Sequence, residues 1–399
     1  MNISCRIFNT IRVLHEPIEY VERMEYYRPG GYHPVTIVGR FHNRHQIVHK
    51  LGHSTYSTTW LARDERSNRY VAVEVCTADS NPLEVDILSK LSKPQQVSDR
   101  GRAMIPLIWD RFSVQGPNGN HVCLVARPAR MSLSDAKNGS WISLFQLEVT
   151  RALAAQIVIM VQYLHLQRVV HGDLYCQGPP PGVPQHGIIL VWPGKESKKV
   201  ALPKARILLS DFGETFPPST RESIQVVYTT SDPSTRGKIQ TNQASLSFSS
   251  DIWSLGCIIW HVVAQRTLFE GFLTNEDDTV CQHIDLLGQL PTEWWEKWEA
   301  RRDKFTDSGD SIHPAQFQNR TWEERFDRNV QQPRRREGMP FFESDEREAL
   351  LSMLSSMLSF RAEDRPSAGQ VLKSDWMAKW ALPKCEKVCD AQQYRTVGP

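Results

Sequence analysis

The sequence predicts an α+β chain, a small strand-rich N-terminal lobe followed by a larger helical one, and three observations predict it. Between Gln46 and Cys76 apolar and polar residues alternate in three short runs, the two-residue period of half-buried strands. From Phe145 onward apolar residues recur at spacings of three and four, the period of helices. With 399 residues, 40% of them hydrophobic and 12 of them Trp, the chain can bury a core larger than one ordinary domain needs.

Each element follows in order. Arg6 and Arg12 precede the first acid, Glu16, which reads as a weak mitochondrial presequence or as a mobile tail. The stretch through Tyr32, with Tyr26, Tyr27, Pro29, Gly30 and Gly31, reads as an extended arm, so 1–45 is set apart as an N-terminal extension. Strands are expected over 46–51, 56–62 and 69–76, separated by turn signals at 52–55 and 64–68. A short amphipathic helix follows over 83–91, then strands over 103–112 and 121–125 joined by a turn at 115–120. After Arg130 helices dominate, over 145–166, 250–264, 293–302, 345–358 and 368–372. The polar stretch 305–338 is expected to be irregular, with Arg334 to Arg336 a solvated face. Trp294, Trp295 and Trp298 read as core packing.

Composition narrows the function. Forty-seven basic and 45 acidic side chains leave a net charge of +2, which argues against a nucleic-acid binder by bulk charge. No run approaches twenty consecutive apolar residues, so no membrane span is expected. The eight cysteines contain no CxxC pair, and several sit in apolar runs. They read as reduced, buried thiols of an intracellular protein, cytoplasmic or nuclear, with mitochondria as the alternative. Cys385 and Cys389 lie close together without a nearby His and are not expected to hold a metal.

Three motifs carry chemistry and follow one another along the chain: Val71-Ala72-Val73-Glu74-Val75, His171-Gly172-Asp173-Leu174 and Asp211-Phe212-Gly213-Glu214. With 52–59 at the position of a glycine loop, the chain resembles the protein kinase superfamily and, within it, the SR-protein kinase-like group. Ser250-Asp251-Ile252-Trp253-Ser254-Leu255-Gly256-Cys257 is similar to the central helix of a kinase C-lobe. The run from Arg361 to Ala368 is similar to the end of a kinase domain. The resemblance implies a bilobal fold over 46–382, an N-lobe at about 46–126 and a C-lobe at about 131–382, with a tail at 383–399. It also implies ATP and Mg²⁺ as cofactors and a protein substrate or partner, Arg/Ser-rich in that group. Residue by residue, Asp173 would orient the substrate hydroxyl and Asp211 would hold Mg²⁺. Gly52, Ser54, Ser57, Thr59, Ala72, Glu74 and Glu84 would surround the nucleotide, Glu84 at the place of the helix glutamate.

The departures from the family pattern bear on mechanism. Where the family has a lysine on the phosphates, this chain has Glu74, so two carboxylates, Glu74 and Glu84, replace an ion pair. At 4 Å and an effective dielectric near 20, one charge is worth about 4 kcal/mol, and reversing it approaches about twice that. Lys50, the nearest lysine before the loop, could substitute only by turning into the cleft. Gly178 stands where the family places a metal-binding Asn, and no Asn occurs from Leu174 to Ser210. That stretch reads as a Pro-rich loop or as the mark of a segment missing near Gln177. Ser54 replaces a loop glycine, and Thr59 replaces a valine over the adenine. Gly172 replaces an arginine, which implies no pocket for a phosphorylated loop. No Ala-Pro-Glu follows Asp211, which deprives Arg365 of its usual glutamate. The expectation is a pseudokinase or strongly impaired Ser/Thr kinase that acts as a binding or scaffold module. The alternatives are an active kinase for Arg/Ser-rich proteins, and a small-molecule phosphotransferase, since His-Gly-Asp also opens that group's catalytic loop.

Overall fold

Alternation in the N-terminal part produces six strands, β1 (Arg40–Phe41), β2 (His45–His53), β3 (Ser57–Asp64), β4 (Arg69–Cys76), β5 (Asp110–Gly116) and β6 (Gly119–Ala126), in one antiparallel sheet ordered β1-β2-β3-β4-β6-β5. The computed structural model describes residues 21–22, 24–80, 82–92, 100–172, 194–209, 212, 215–218, 247–269, 276–306, 311–312 and 321–396. They divide into two units: described residues up to Ser80 together with Trp109–Pro128, and described residues of 81–108 together with those from Ala129 onward.

In the first unit, opposed residues share a sheet face. Lys50 faces Trp60, Trp60 faces Val73 and Val73 faces Val125. This is the core face, where Ile47, Trp60, Ala62, Val71, Val73, Val75, Cys123 and Val125 pack with Phe41 and Phe112. The other face carries Thr59 opposite Glu74, and Glu74 opposite Leu124. The arm before β1 is fastened to the sheet: Gly30 N donates to Asn118 O at 2.8 Å, and Ala78 N to Gly31 O at 3.1 Å. Asn118 Nδ2 donates to Tyr32 O at 2.7 Å. Strand β1 was not legible as a strand, because it is two residues long and exists only through the His42-Asn43 turn, both residues at positive φ.

The second unit begins with α1 (Pro82–Ser92), α2 (Leu133–Asn138) and α3 (Leu147–Leu166). It continues through α4 (Phe248–Val263), α5 (Glu276–Leu287), α6 (Thr292–Trp295), α7 (Arg301–Lys304), α8 (Trp322–Phe326) and α9 (Gln332–Arg336). The last helices are α10 (Ser344–Met357), α11 (Ala368–Leu372) and α12 (Leu382–Thr396). Helix α3 is the axis, packed against α4, α11 and α12. By length and composition α3 is apolar enough to cross a membrane, and 78% of that stretch is buried inside the protein. Its side chains also stitch distant segments. Gln156 Nε2 donates to Ala205 O at 2.7 Å, and its Oε1 accepts from Ile207 N at 3.2 Å.

Four expectations change. The strand over 103–112 begins only at Asp110; Gly101–Met104 is a 3₁₀ turn pressed against α3, where a Cβ on Gly101 would lie 2.3 Å from Tyr163 Cβ. Pro106 lacks the N–H a ladder needs. The helix over 293–302 is two short helices, α6 and α7, whose bend lets Trp295 and Trp298 pack with Phe305, Val280 and Cys281. The stretch 305–338 is ordered over α8, a π-helical turn Asp327–Gln331 and α9, opened by a capping box of Thr321 and Glu324. Arg334 is not on a solvated face: it is fully buried, donating to Pro340 O at 3.2 Å and Phe145 O at 3.1 Å, its guanidinium 5.5 Å from the Phe342 ring centre. Burial pulls its pKa down to about 10, so it is a cation at neutral pH.

Candidate functional site

The nucleotide-side residues that the sequence singles out lie on β2, β3 and β4 and the loop between the first two. Gly52 pairs with Thr59, and Thr59 with Glu74; Ala72 follows two residues before Glu74 on the same face. Nothing lies within 4 Å of a Cβ placed on Gly52. Glu74 is half-buried and accepts one hydrogen bond, from Ser57 Oγ at 2.7 Å. Desolvation raises its pKa above the ordinary glutamate value, and the Ser57 bond acts against that rise. Among the described residues no cation pairs with Glu74.

The loop between β2 and β3 closes on itself. Ser54 N donates to Ser57 O at 2.8 Å, and Tyr56 N donates to Ser54 Oγ at 3.2 Å. Two amides that a phosphate cradle would aim at its ligand therefore have internal acceptors. Tyr32 of the arm donates its hydroxyl to Ser54 O. Lys50 does not reach this face. It is fully buried on the core face, in an ion pair with Glu22 and 5.2 Å from the Trp60 ring centre, and Tyr27 donates its hydroxyl to the same Glu22.

In the second unit, the chain entering the second motif is held by Asp251 at the start of α4. Its carboxylate accepts from His171 N at 2.9 Å and Gly172 N at 3.1 Å, and His165 Nε2 lies 3.0 Å away. Two backbone donors on one buried carboxylate fix the peptide just before Asp173. Gly172 has φ +78°, a left-handed conformation that a side chain disfavours. Val170 and Phe216 form an antiparallel bridge with bonds of 3.0 and 3.1 Å, and the His171 and Phe212 rings lie 5.8 Å apart. The chain entering the second motif is thus brought against Phe212 and Phe216, within and just after the third. Asp173, Asp211 and Gly178 fall outside the described residues, and Glu84 lies on α1 with its side chain outside them.

Arg365 takes backbone carbonyls: Ser359 O at 2.8 Å, Ser249 O at 3.0 Å and Phe360 O at 3.0 Å, with its guanidinium 4.9 Å from the Trp253 ring centre. Burial lowers its pKa to about 10. The role of Asp251 was missed from sequence, although an acid in the first turn of the apolar α4 was a signal for it.

The sheet unit and the helical unit carry motifs similar to those of protein kinases, and the comparisons point the same way. Residues 195–377 match the protein kinase domain family. The chain is 25% identical over 373 residues to a serine/threonine protein kinase of Aspergillus fumigatus, covering 89% of this chain and 90% of that one. It is 33% identical over 159 residues to protein kinase dsk1 of Schizosaccharomyces pombe, 38% of this chain and 29% of the relative. It is 31% identical over 153 residues to human SRSF protein kinase 3, 37% of this chain and 27% of the relative. The chain resembles the protein kinase superfamily and, within it, the SR-protein kinase-like group.

The family uses ATP and Mg²⁺, and the described residues do not fit a nucleoside triphosphate. Where a cation would meet the phosphates there is a carboxylate, the candidate replacement lysine is committed to Glu22 on the opposite face, and the loop amides of Ser54 and Tyr56 are occupied. Among the described residues no cluster of three or more His, Cys, Asp or Glu is arranged to hold a metal ion.

Proposed function

We propose that this chain is a bilobal, kinase-like binding module, a pseudokinase or strongly impaired Ser/Thr kinase that acts through protein contacts rather than phosphoryl transfer. The observation that carries it is Glu74: half-buried, on the face it shares with Thr59 and Ala72, and bonded only to the Ser57 hydroxyl among the described residues. A carboxylate in that place repels a triphosphate, and phosphoryl transfer depends on charge stabilisation at the phosphates. In this reading the kinase-like domain spans 46–382. Asp173, Asp211 and Glu84 keep their family positions, and Gly52, Ser54, Ser57, Thr59 and Ala72 line a site that does not hold MgATP. The partner class is protein, Arg/Ser-rich by resemblance to the SR-protein kinase-like group.

The test is a thermal-shift titration with MgATP of the chain and of Glu74→Lys, because a ligand that binds only the folded state raises its unfolding midpoint. No shift in the chain and a clear shift in the variant is the expected result. A shift in the chain itself overturns the reading and favours an active kinase, to be assayed on an Arg/Ser-rich peptide. Silence from both moves the defect to the stretch around Gly178.

A further inference from the structure

We propose that the face around Trp141 docks an acidic, Asp/Glu-rich segment of a partner protein. Trp141 is 73% exposed, whereas its neighbour Ile142 is 1% exposed. Leaving an indole in water forgoes the stabilisation its burial would bring, and here the backbone is arranged to keep it there. Trp141 sits in a tight turn closed by Ser143 N donating to Ser140 O at 2.9 Å. Ser143 Oγ donates to Lys137 O and Ser140 O, each at 3.1 Å. Ser143 has φ +53°, a conformation a non-glycine residue adopts only when its surroundings impose it. Ile142 meanwhile is anchored inward with Leu144 and Met339.

The charge beside the ring is fixed by the same loop. Ser197 Oγ donates to Leu144 O at 2.8 Å, and Gln146 Nε2 donates to Lys198 O at 3.3 Å. These bonds place the 3₁₀ turn Ser197–Lys199 so that Lys198 Nζ lies 5.8 Å from the Trp141 ring centre. Lys195 N donates to Met131 Sδ at 3.1 Å, next in sequence to Arg130. Lys199 is paired with Glu196 at 2.6 Å. Glu196 also attracts Lys198, so the segment 195–199 carries three lysines against one carboxylate.

An exposed indole beside a turn in which cations outnumber carboxylates has the composition of a binding hot spot: large contact area, little conformational entropy left to lose, and a net positive charge. The complement is anionic. A peptide fits better than a nucleic-acid strand, because single-stranded nucleic acid is held by successive stacking platforms along a basic groove, and the platform built here is one ring with a few lysines and an arginine. The surface lies within one unit and its binding needs no nucleotide, so its failure leaves the reading of the nucleotide site untouched.

The experiment is fluorescence anisotropy of a short fluorescein-labelled Asp/Glu peptide carrying one Tyr, titrated with the full chain at low and high salt. Saturable, salt-weakened binding is expected. Trp141→Ala is expected to weaken it about ten-fold, and Lys195→Glu with Lys198→Glu at least as much. Trp141→Phe should restore part of the affinity. Both sets of substitutions fall on exposed or half-exposed side chains, and unchanged unfolding midpoints confirm that the fold is intact. Absence of saturable binding, binding that survives both sets of substitutions, or competition by a U-rich RNA at equal concentration overturns the proposal.

Discussion

In the second unit Glu346, Asp251 and Arg365 each meet several partners, whereas in the first unit Glu74 meets one hydroxyl among the described residues. Glu346 takes a bidentate pair from Arg151 at 2.8 and 2.5 Å and a bond from Trp376 Nε1 at 3.3 Å. Asp251 takes two backbone amides, and Arg365 three carbonyls. The stretch that matches the protein kinase domain family, 195–377, lies within the second unit. The singly bonded carboxylate of Glu74 thus stands outside the stretch that carries the family match. The polar networks of the helical unit serve its architecture, and architecture does not require the charge at position 74 to suit a nucleotide.

The comparison can be broken or sharpened. The largest effect is expected from Glu346→Ala, which leaves Arg151 without its carboxylate near a second buried guanidinium, that of Arg334. Breaking a buried pair in this way costs about 3–5 kcal/mol, so the unfolding midpoint should fall by several degrees in calorimetry. A loss below about 1 kcal/mol, the scale of a surface pair, would remove the claim that these networks are structural.

Glu22→Ala comes next. It removes the carboxylate paired with Lys50, whose pKa burial pulls down to about 7, and deprives Tyr27 of its acceptor. A loss of about 2 kcal/mol is expected, the scale of buried polar groups left without their partner, accompanied by faster hydrogen exchange in β2. Unchanged exchange there would show that the arm is not part of the sheet's support.

The smallest effect concerns Glu74. Its folded pKa is raised, so the folded state binds the proton more tightly than the unfolded chain does. Stability from this group therefore falls as pH rises from its ordinary value of 4.5 through the raised folded value. Glu74→Gln should raise the unfolding midpoint slightly at pH 7 and lose that advantage near pH 4.5. An advantage that grows on acidification would reverse the sign and show a stabilised carboxylate, as a hidden cation would produce.

Much of the fold was legible because it rests on local periods. Strands β2, β3 and β4 and helices α3, α4, α10 and α11 follow from spacings of two or of three and four within one segment. The exchange of charge at Glu74, the loss of the loop glycine at Ser54 and the order of the three motifs are likewise properties of the chain itself.

Tertiary structure decided what depends on partners far away in sequence. Arg334 sits in a basic run that reads as solvated, yet Phe145 and Pro340 carbonyls enclose it. Lys50 belongs to a strand whose register turns it to the core, where Glu22 of the arm meets it. Trp295 and Trp298 are buried while Trp141 is held in water, and composition alone does not separate them. Asp251 becomes a clamp only when α4 is laid beside the chain before Asp173. Periodicity reports how often a residue faces one side of its own element. Which segment covers that side, and with what charge, is set by packing between elements, so burial and partnership were decided there.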